Sequence, residues 1–253
     1  MKSDSEVLAP IPEPFRSALV STYAGEPQLG SDDAKHPVDG ITKIGSRQGL
    51  WLYNLCCEKK PARILEIGLG FGYSTVYFLA AIRENGFGQL TAIDPFQHQW
   101  HGIGARRAEL LGMAESFRLI EKRSAAALVE LAGAGDAFDV IFIDGDHHFD
   151  AALLDFTLSA ELSPPGGYVV FDDLWMPSVR RVASFVRANR KDFKEISNNV
   201  GNIAAFRRCG CDSRDWEHFE EFGGPGAPLV QLANSSVGLL RRIARLLRAR
   251  RRR

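Results

Sequence analysis

The chain has 253 residues, 45% of them apolar and 25% charged, with 31 basic and 31 acidic side chains. That balance excludes a disordered chain, and no apolar run approaches the ~20 residues needed to cross a bilayer. The even charge hides an asymmetry, because "VGLLRRIARLLRARRRR" at the C-terminal end holds eight arginines and no acid, which leaves the remainder at −8.

The opening stretch "MKSDSEVLAPIPEPF" lacks the basic start and apolar centre of a secretory signal, so a cytoplasmic location is the expectation. Residues 1–40 are proline-rich with little periodicity, which predicts an N-terminal extension, irregular at first and then a helical lid or cap. "IGSRQGLWLYNLCCEKK" has helical spacing, and Cys56 and Cys57 within it read as packing residues. From Pro61 onward short β-branched runs alternate with helical patterns, as in a parallel sheet with crossover helices. Strands are predicted at "ARILEIG", "GQLTAID", "SFRLIEK", "FDVIFID" and "GGYVVFDD". "FKEIS" and "NIAAFRR" then follow, close enough for a hairpin. The predicted fold class is α/β: a Rossmann-like seven-stranded sheet over residues 41–208, mostly parallel, its last strand antiparallel, with helices on both faces. Residues 209–235 read as a loop or linker; Cys209 and Cys211 within it lack the spacing of a zinc half-site. Residues 236–253 read as a basic amphipathic helix, with Leu239, Leu240, Ile243, Leu246 and Leu247 on one side. Such a helix can lie on an anionic membrane surface, engage an acidic partner, pack on its own domain or on a second copy in a homo-oligomer, or, as the least favoured reading, bind nucleic acid. Nothing else reads as a nucleic-acid-binding module.

The stretch "LEIGLGFGYST", Leu65 to Thr75, places glycines at 68, 70 and 72 between a strand and a helix. Glycine there removes the Cβ that would block a ligand lying across the strand ends; tight strand-to-helix packing is the other use. A dinucleotide fingerprint needs its third glycine where Tyr73 stands, which disfavours a nicotinamide enzyme. Asp94 ends the next strand, where an acid can accept hydrogen bonds from both ribose hydroxyls or cap the following helix. Ser124 follows the third strand, again as a pocket residue or an N-cap. His98, Trp100 and His101 in "DPFQHQWHGIG" read as pocket lining or packing.

Acids then accumulate. "FDVIFIDGDHHFD" ends its strand with Asp144, and "GGYVVFDD" ends the next with Asp172 and Asp173. Neighbouring strand ends of an open sheet share one crevice, so the three should converge there. Carboxylates that close require a proton or a cation between them, and a hard divalent ion such as Mg²⁺ suits oxygen ligands. His147, three residues after Asp144, can take a proton near neutral pH or simply cap the next helix.

These motifs resemble the class I S-adenosylmethionine-dependent methyltransferases, whose first motif is matched by E-x-G-x-G-x-G from Glu66 to Gly72. The layout, with "ITKIGSRQG" ahead of the glycine strand, is similar to the cation-dependent O-methyltransferases of the catechol and caffeoyl-coenzyme A type. The wording of the acidic motifs is closer to the bacterial branch that includes macrolide-sugar and cephalosporin-pathway methyltransferases. The likeness runs from Thr42 to Arg207. It implies cofactor contacts from Thr42, Glu66, Gly68, Gly70, Tyr73, Ser74, Asp94, Ser124 and Asp144, with the Ser74 hydroxyl on the cofactor carboxylate. It implies metal ligation by Asp144, Asp172 and Asp173, and catalysis by His147 with Asp144. The implied reaction is methyl transfer to a hydroxyl of a sugar or other small metabolite. Two full acids stand where catechol enzymes have Asp-Asn, which shifts the likeness away from catechols. Rival readings are a metal-free methyltransferase with another acceptor atom, and a non-catalytic scaffold acting through the basic tail.

Overall fold

A computed structural model describes residues 3–40 and 42–222. The basic C-terminal helix of the sequence reading, and residues 223–235 of the linker before it, lie outside those residues.

Seven strands form one sheet: β3 (Arg63–Ile67), β4 (Gln89–Ile93), β5 (Phe117–Ile120), β6 (Val140–Ile143), β7 (Tyr168–Phe171), β8 (Phe193–Ile196) and β9 (Ala204–Arg208). Their order is β5-β4-β3-β6-β7-β9-β8, with β9 antiparallel to both neighbours and the other pairings parallel. All seven coincide with the predicted runs. A further pair, β1 (Gln28–Leu29) and β2 (Lys35–His36), forms a small antiparallel ribbon that the sequence did not suggest.

The central strands are apolar almost throughout because helices cover both faces. Ile64, Val140, Phe142 and Val170 pack on one side, and Leu65, Ile141, Val169 and Phe171 on the other, the period-2 division of a pleated strand. On the second side lie α6 (Ser124–Gly133), α7 (Phe149–Leu162) and α8 (Pro177–Asn189), whose Leu128, Phe156 and Val182 enter the core. On the first side α4 (Tyr73–Asn85) sits directly on the sheet, and it is buried from Tyr73 to Ile82 with no exposed face. A helix apolar all round must be covered from outside as well. The cover comes from α3 (Ser46–Lys59) and from the N-terminal helix α2 (Phe15–Tyr23), with the short α1 (Asp4–Val7) packed against both. Leu8, Ile11, Phe15 and Leu19 are fully buried there. In place of the expected irregular opening followed by a helical lid or cap, helices begin at Asp4, and these residues complete the core over α4. The remaining α-helix, α5 (Ile103–Leu110), packs beside α4. Among the described residues no helix is long and apolar enough to cross a membrane.

Candidate active site

The direction of strand order reverses at β3, since β4 and β5 lie to one side and β6 and β7 to the other. A crevice opens at the carboxyl ends of the strands at such a point. Here it is a cavity of about 600 Å³, and every site residue named from the sequence lines it except Glu66.

The glycine loop forms its floor. Gly68 adopts φ +94°, and a Cβ there would lie 2.1 Å from the Asp144 carbonyl oxygen, so glycine lets the ends of β3 and β6 meet. Gly70, at φ +49°, has no atom within 4 Å of a Cβ position and faces open space. The loop is tied down by Asp94, whose Oδ2 accepts from Gly70 N (2.8 Å), Leu69 N (3.2 Å) and Gln97 Nε2 (3.1 Å). Its Oδ1 accepts from Phe96 N at 2.7 Å. Asp94 thus lines the cavity while bracing the glycine turn, a double role the sequence reading did not foresee. Arg107, buried on α5, holds the loop from beneath by donating to the Phe71 carbonyl (2.6 Å) and to Thr22 Oγ1 on α2 (2.9 Å). Burial brings its pKa down to about 10.

Glu66 requires a correction. It points to the α4 side of the sheet, is fully buried, and accepts from the Ser74 hydroxyl and from Thr75 Oγ1 (2.6 Å). Alternation along β3 turns position 66 away from the crevice, so its carboxyl anchors the first turn of α4 instead of contacting a ligand. Burial, with Asp144 and Asp94 nearby, raises its pKa to about 8. The Ser74 hydroxyl, expected on the cofactor carboxylate, is engaged by Glu66, although Ser74 does line the cavity. Thr42, Tyr73 and Ser124 also line it, with Thr42 bonded to Asp39 Oδ1 through both its N–H and its hydroxyl. Trp100 is a wall residue, whereas His101 stacks on His36 with ring centroids 3.7 Å apart, and His98 is exposed.

The acids meet as expected, but the cluster has different membership. Asp144, His147 and Asp173 bring ligand atoms within 4.8 Å of one another. His147 Nε2 lies 3.1 Å from Asp173 Oδ2 and 3.4 Å from Asp144 Oδ1. That nitrogen is buried and faces both carboxylates. Asp172, named from the sequence as a ligand, is set back: its Oδ1 accepts from Gln48 Nε2 (3.0 Å), Asp173 N (2.8 Å) and Asn202 Nδ2 (3.3 Å). The division follows from backbone shape. Asp173 adopts a left-handed conformation, φ 56°, which swings its carboxylate toward His147 while Asp172 keeps the strand's direction into the interior.

Charge balance in this cluster falls to His147. The two carboxylates beside it raise its pKa to about 10, so without a cation the ring is an imidazolium. Burial raises Asp144, and burial with the Asp144 charge raises Asp172 to about 8. Burial also opposes ionisation of Asp173, but the His147 ring and the Trp175 Nε1–H bond (2.8 Å) outweigh it and bring Asp173 below the ordinary carboxylate range. The Asp144 and Asp173 carboxylate oxygens form a hard donor pair fitting a divalent cation, with the His147 ring facing them. Gln48, Gln97, Arg107 and Asp155 escaped the sequence reading; no motif marks them, and only packing brings them to the site.

Residues 65–174 match the family model described as a methyltransferase domain. Among curated proteins, the chain is 32% identical over 84 residues to uncharacterized protein R132 of Acanthamoeba polyphaga mimivirus, covering 28% of this chain and 38% of that protein. It thus spans well under half of that relative's length. Three solved structures are similar. The O-methyltransferase TomG of Streptomyces achromogenes, in complex with SAM, gives a TM-score of 0.61 at 21% identity, covering 83% of this chain and 100% of that one. The SAH-bound methyltransferase PaMTH1 of Podospora anserina gives 0.61 at 16%, covering 79% and 89%. The O-methyltransferase of Bacillus cereus in complex with SAH gives 0.57 at 16%, covering 82% and 92%. At these identities the likeness to solved structures speaks for the fold alone.

Proposed function

We propose that the chain is a methyltransferase of the class I fold that moves a methyl group from S-adenosylmethionine to a hydroxyl oxygen of a small metabolite, with a divalent cation at the acidic cluster. The observation that carries this reading is the meeting of Asp144, His147 and Asp173 on the wall of the same cavity that the glycine loop and Asp94 line.

In this reading Gly68, Gly70, Thr42, Tyr73, Ser74, Asp94 and Ser124 enclose the methyl donor. Glu66 acts at one remove, through Ser74 and Thr75. Asp144 and Asp173 would hold the cation, with His147 facing it and Asp172 braced behind by Gln48. A cation, when bound, supplies charge compensation for the carboxylates and for the oxygen as it loses its proton. His147 is the group placed to receive that proton at Nε2. Ser178 Oγ donates to the His147 carbonyl (2.6 Å) and steadies the loop that carries the ring. Trp175, 64% exposed at the cavity wall and fixed through its N–H to Asp173, offers an apolar face beside the acids for the ring of a sugar or phenol.

The test is transfer of labelled methyl from S-adenosylmethionine to a panel of sugar and phenol acceptors. Turnover should disappear with chelator and return with Mg²⁺. Turnover indifferent to chelator would remove the cation from the scheme, and no binding of S-adenosylhomocysteine would remove the scheme itself.

A further inference from the structure

The loop from Ser197 to Asn202 joins β8 to β9, and the register of the sheet decides where it ends. Strand β9 runs antiparallel to β7 with Phe171 opposite Ala204, so continuing the pairing by two residues sets Asn202 opposite Asp173. Both residues leave the strand in the left-handed region, Asn202 at φ 55° and Asp173 at φ 56°. Asparagine is one of the few side chains that enter that region readily. Asn202 does not line the cavity; it is half-buried behind the wall to which Asp172, Asp173 and Trp175 contribute.

From there it touches all three. Its Oδ1 accepts from Trp175 N at 2.8 Å, and its carbonyl accepts from Leu174 N at 3.0 Å. Its Nδ2 faces Asp172 Oδ1 at 3.3 Å and Asp173 Oδ1 at 3.4 Å, long for hydrogen bonds because one amide nitrogen is shared between two acids. Turning the amide over would set its oxygen against two carboxylates and its nitrogen against an N–H donor, so the surroundings fix its orientation. Asp173 Oδ1 also accepts from Trp175 Nε1 at 2.8 Å. The exposed tryptophan is therefore tied at both ends, its backbone to the Asn202 amide and its ring to the acid beside that amide.

We propose that Asn202 is a positioning residue that couples the Trp175 wall to the acidic cluster, holding the indole face and the Asp173 carboxylate in one arrangement. This rests on the cation reading above and names a residue that the glycine and acidic motifs do not include. Two consequences follow from Asp173 serving the ion and the indole together. The indole senses the ion, and a ring laid on Trp175 presents its hydroxyl at a set distance from the acids. Removing an outer partner of this kind changes metal affinity by roughly 10- to 100-fold.

Two titrations of the full chain with Mg²⁺, in the presence of S-adenosylhomocysteine, test the coupling. Calorimetry gives the ion's affinity, and the emission of Trp175 is taken as the difference between each protein and its Trp175→Phe counterpart. In the wild type that emission should shift along the calorimetric isotherm. Asn202→Gly removes the amide and keeps a backbone that accepts φ 55°. It should weaken Mg²⁺ by about tenfold or more and abolish the Trp175 shift, while S-adenosylhomocysteine affinity stays within about twofold of wild type. Either Mg²⁺ affinity or the Trp175 shift left unchanged in a folded Asn202→Gly protein overturns the assignment. Equal loss of Mg²⁺ and S-adenosylhomocysteine affinity also overturns it, marking Asn202 as structural. A wild-type Trp175 emission unmoved by saturating Mg²⁺ overturns it without any Asn202 variant, so a misfolded Asn202→Gly protein does not shelter it. Failure of the wild type to bind Mg²⁺ by calorimetry instead removes the cation reading, and this inference with it.

Discussion

At His147 a single imidazole stands between two carboxylates, and the chemistry of the site turns on what shares that space. His147→Ala should lower turnover by about 100-fold or more, the usual contribution of a positioned general base, while S-adenosylhomocysteine affinity measured by calorimetry stays close to wild type. An equal loss in both would make the ring a ligand-binding group. Gly68→Ala should destabilise strongly, because its φ of +94° and the Asp144 carbonyl 2.1 Å from a Cβ leave nowhere for a methyl group. The cost should exceed ~2 kcal/mol in denaturant titration, with the acidic cluster displaced as well. Glu66 supports a pH prediction. Its folded pKa of about 8 stands above the ordinary 4.5, so between those values the folded chain holds a proton that the unfolded chain has released. Its contribution is therefore complete below pH 4.5 and is lost as pH rises through 8. The melting temperature of the wild type should fall from about pH 5 to about pH 9, and Glu66→Gln should flatten that fall. Asp172, also raised to about 8, preserves part of the slope in the variant.

Among the elements, α4 explains the most about the architecture. It is buried from Tyr73 to Ile82, and its outer side is covered by α2 and α3. Phe15→Ala, at a fully buried position on α2, should cost about 3–5 kcal/mol by thermal or denaturant unfolding, as large-to-small changes in a core do. A loss below ~1 kcal/mol would mean that α2 contributes little to the fold. The seven strands of the main sheet were legible because β-branched runs bounded by turn residues are a local signal. The N-terminal helices were not, because prolines at 10, 12 and 14 interrupt the periodicity on which a helical reading depends. Their apolar residues make sense only once α4 is known to lack cover. The β1–β2 ribbon has two residues in each strand, too few for alternation to register.

For the molecule as a whole, the proposed donor and cation should each stabilise the fold by mass action. S-adenosylhomocysteine at about 100 times its dissociation constant adds about 2.7 kcal/mol, visible as a rise in melting temperature. Mg²⁺ should raise it too, and that second shift should vanish in the Asp144→Asn, Asp173→Asn pair while the first remains. Persistence of the Mg²⁺ shift in that variant would place the ion elsewhere. The strand sequence, the glycine turn and the gathering of acids at neighbouring strand ends were all determined by the sequence on its own, since each rests on local periodicity or on the residue that ends a strand. Tertiary structure decided which way those residues face. It turned Glu66 under α4, set Asp172 against Gln48 from 124 positions away, and brought His147 between Asp144 and Asp173. Side-chain direction at a strand end depends on pleat phase, on a left-handed turn such as that at Asp173, and on partners supplied by distant elements, none of which is written in the spacing of a motif.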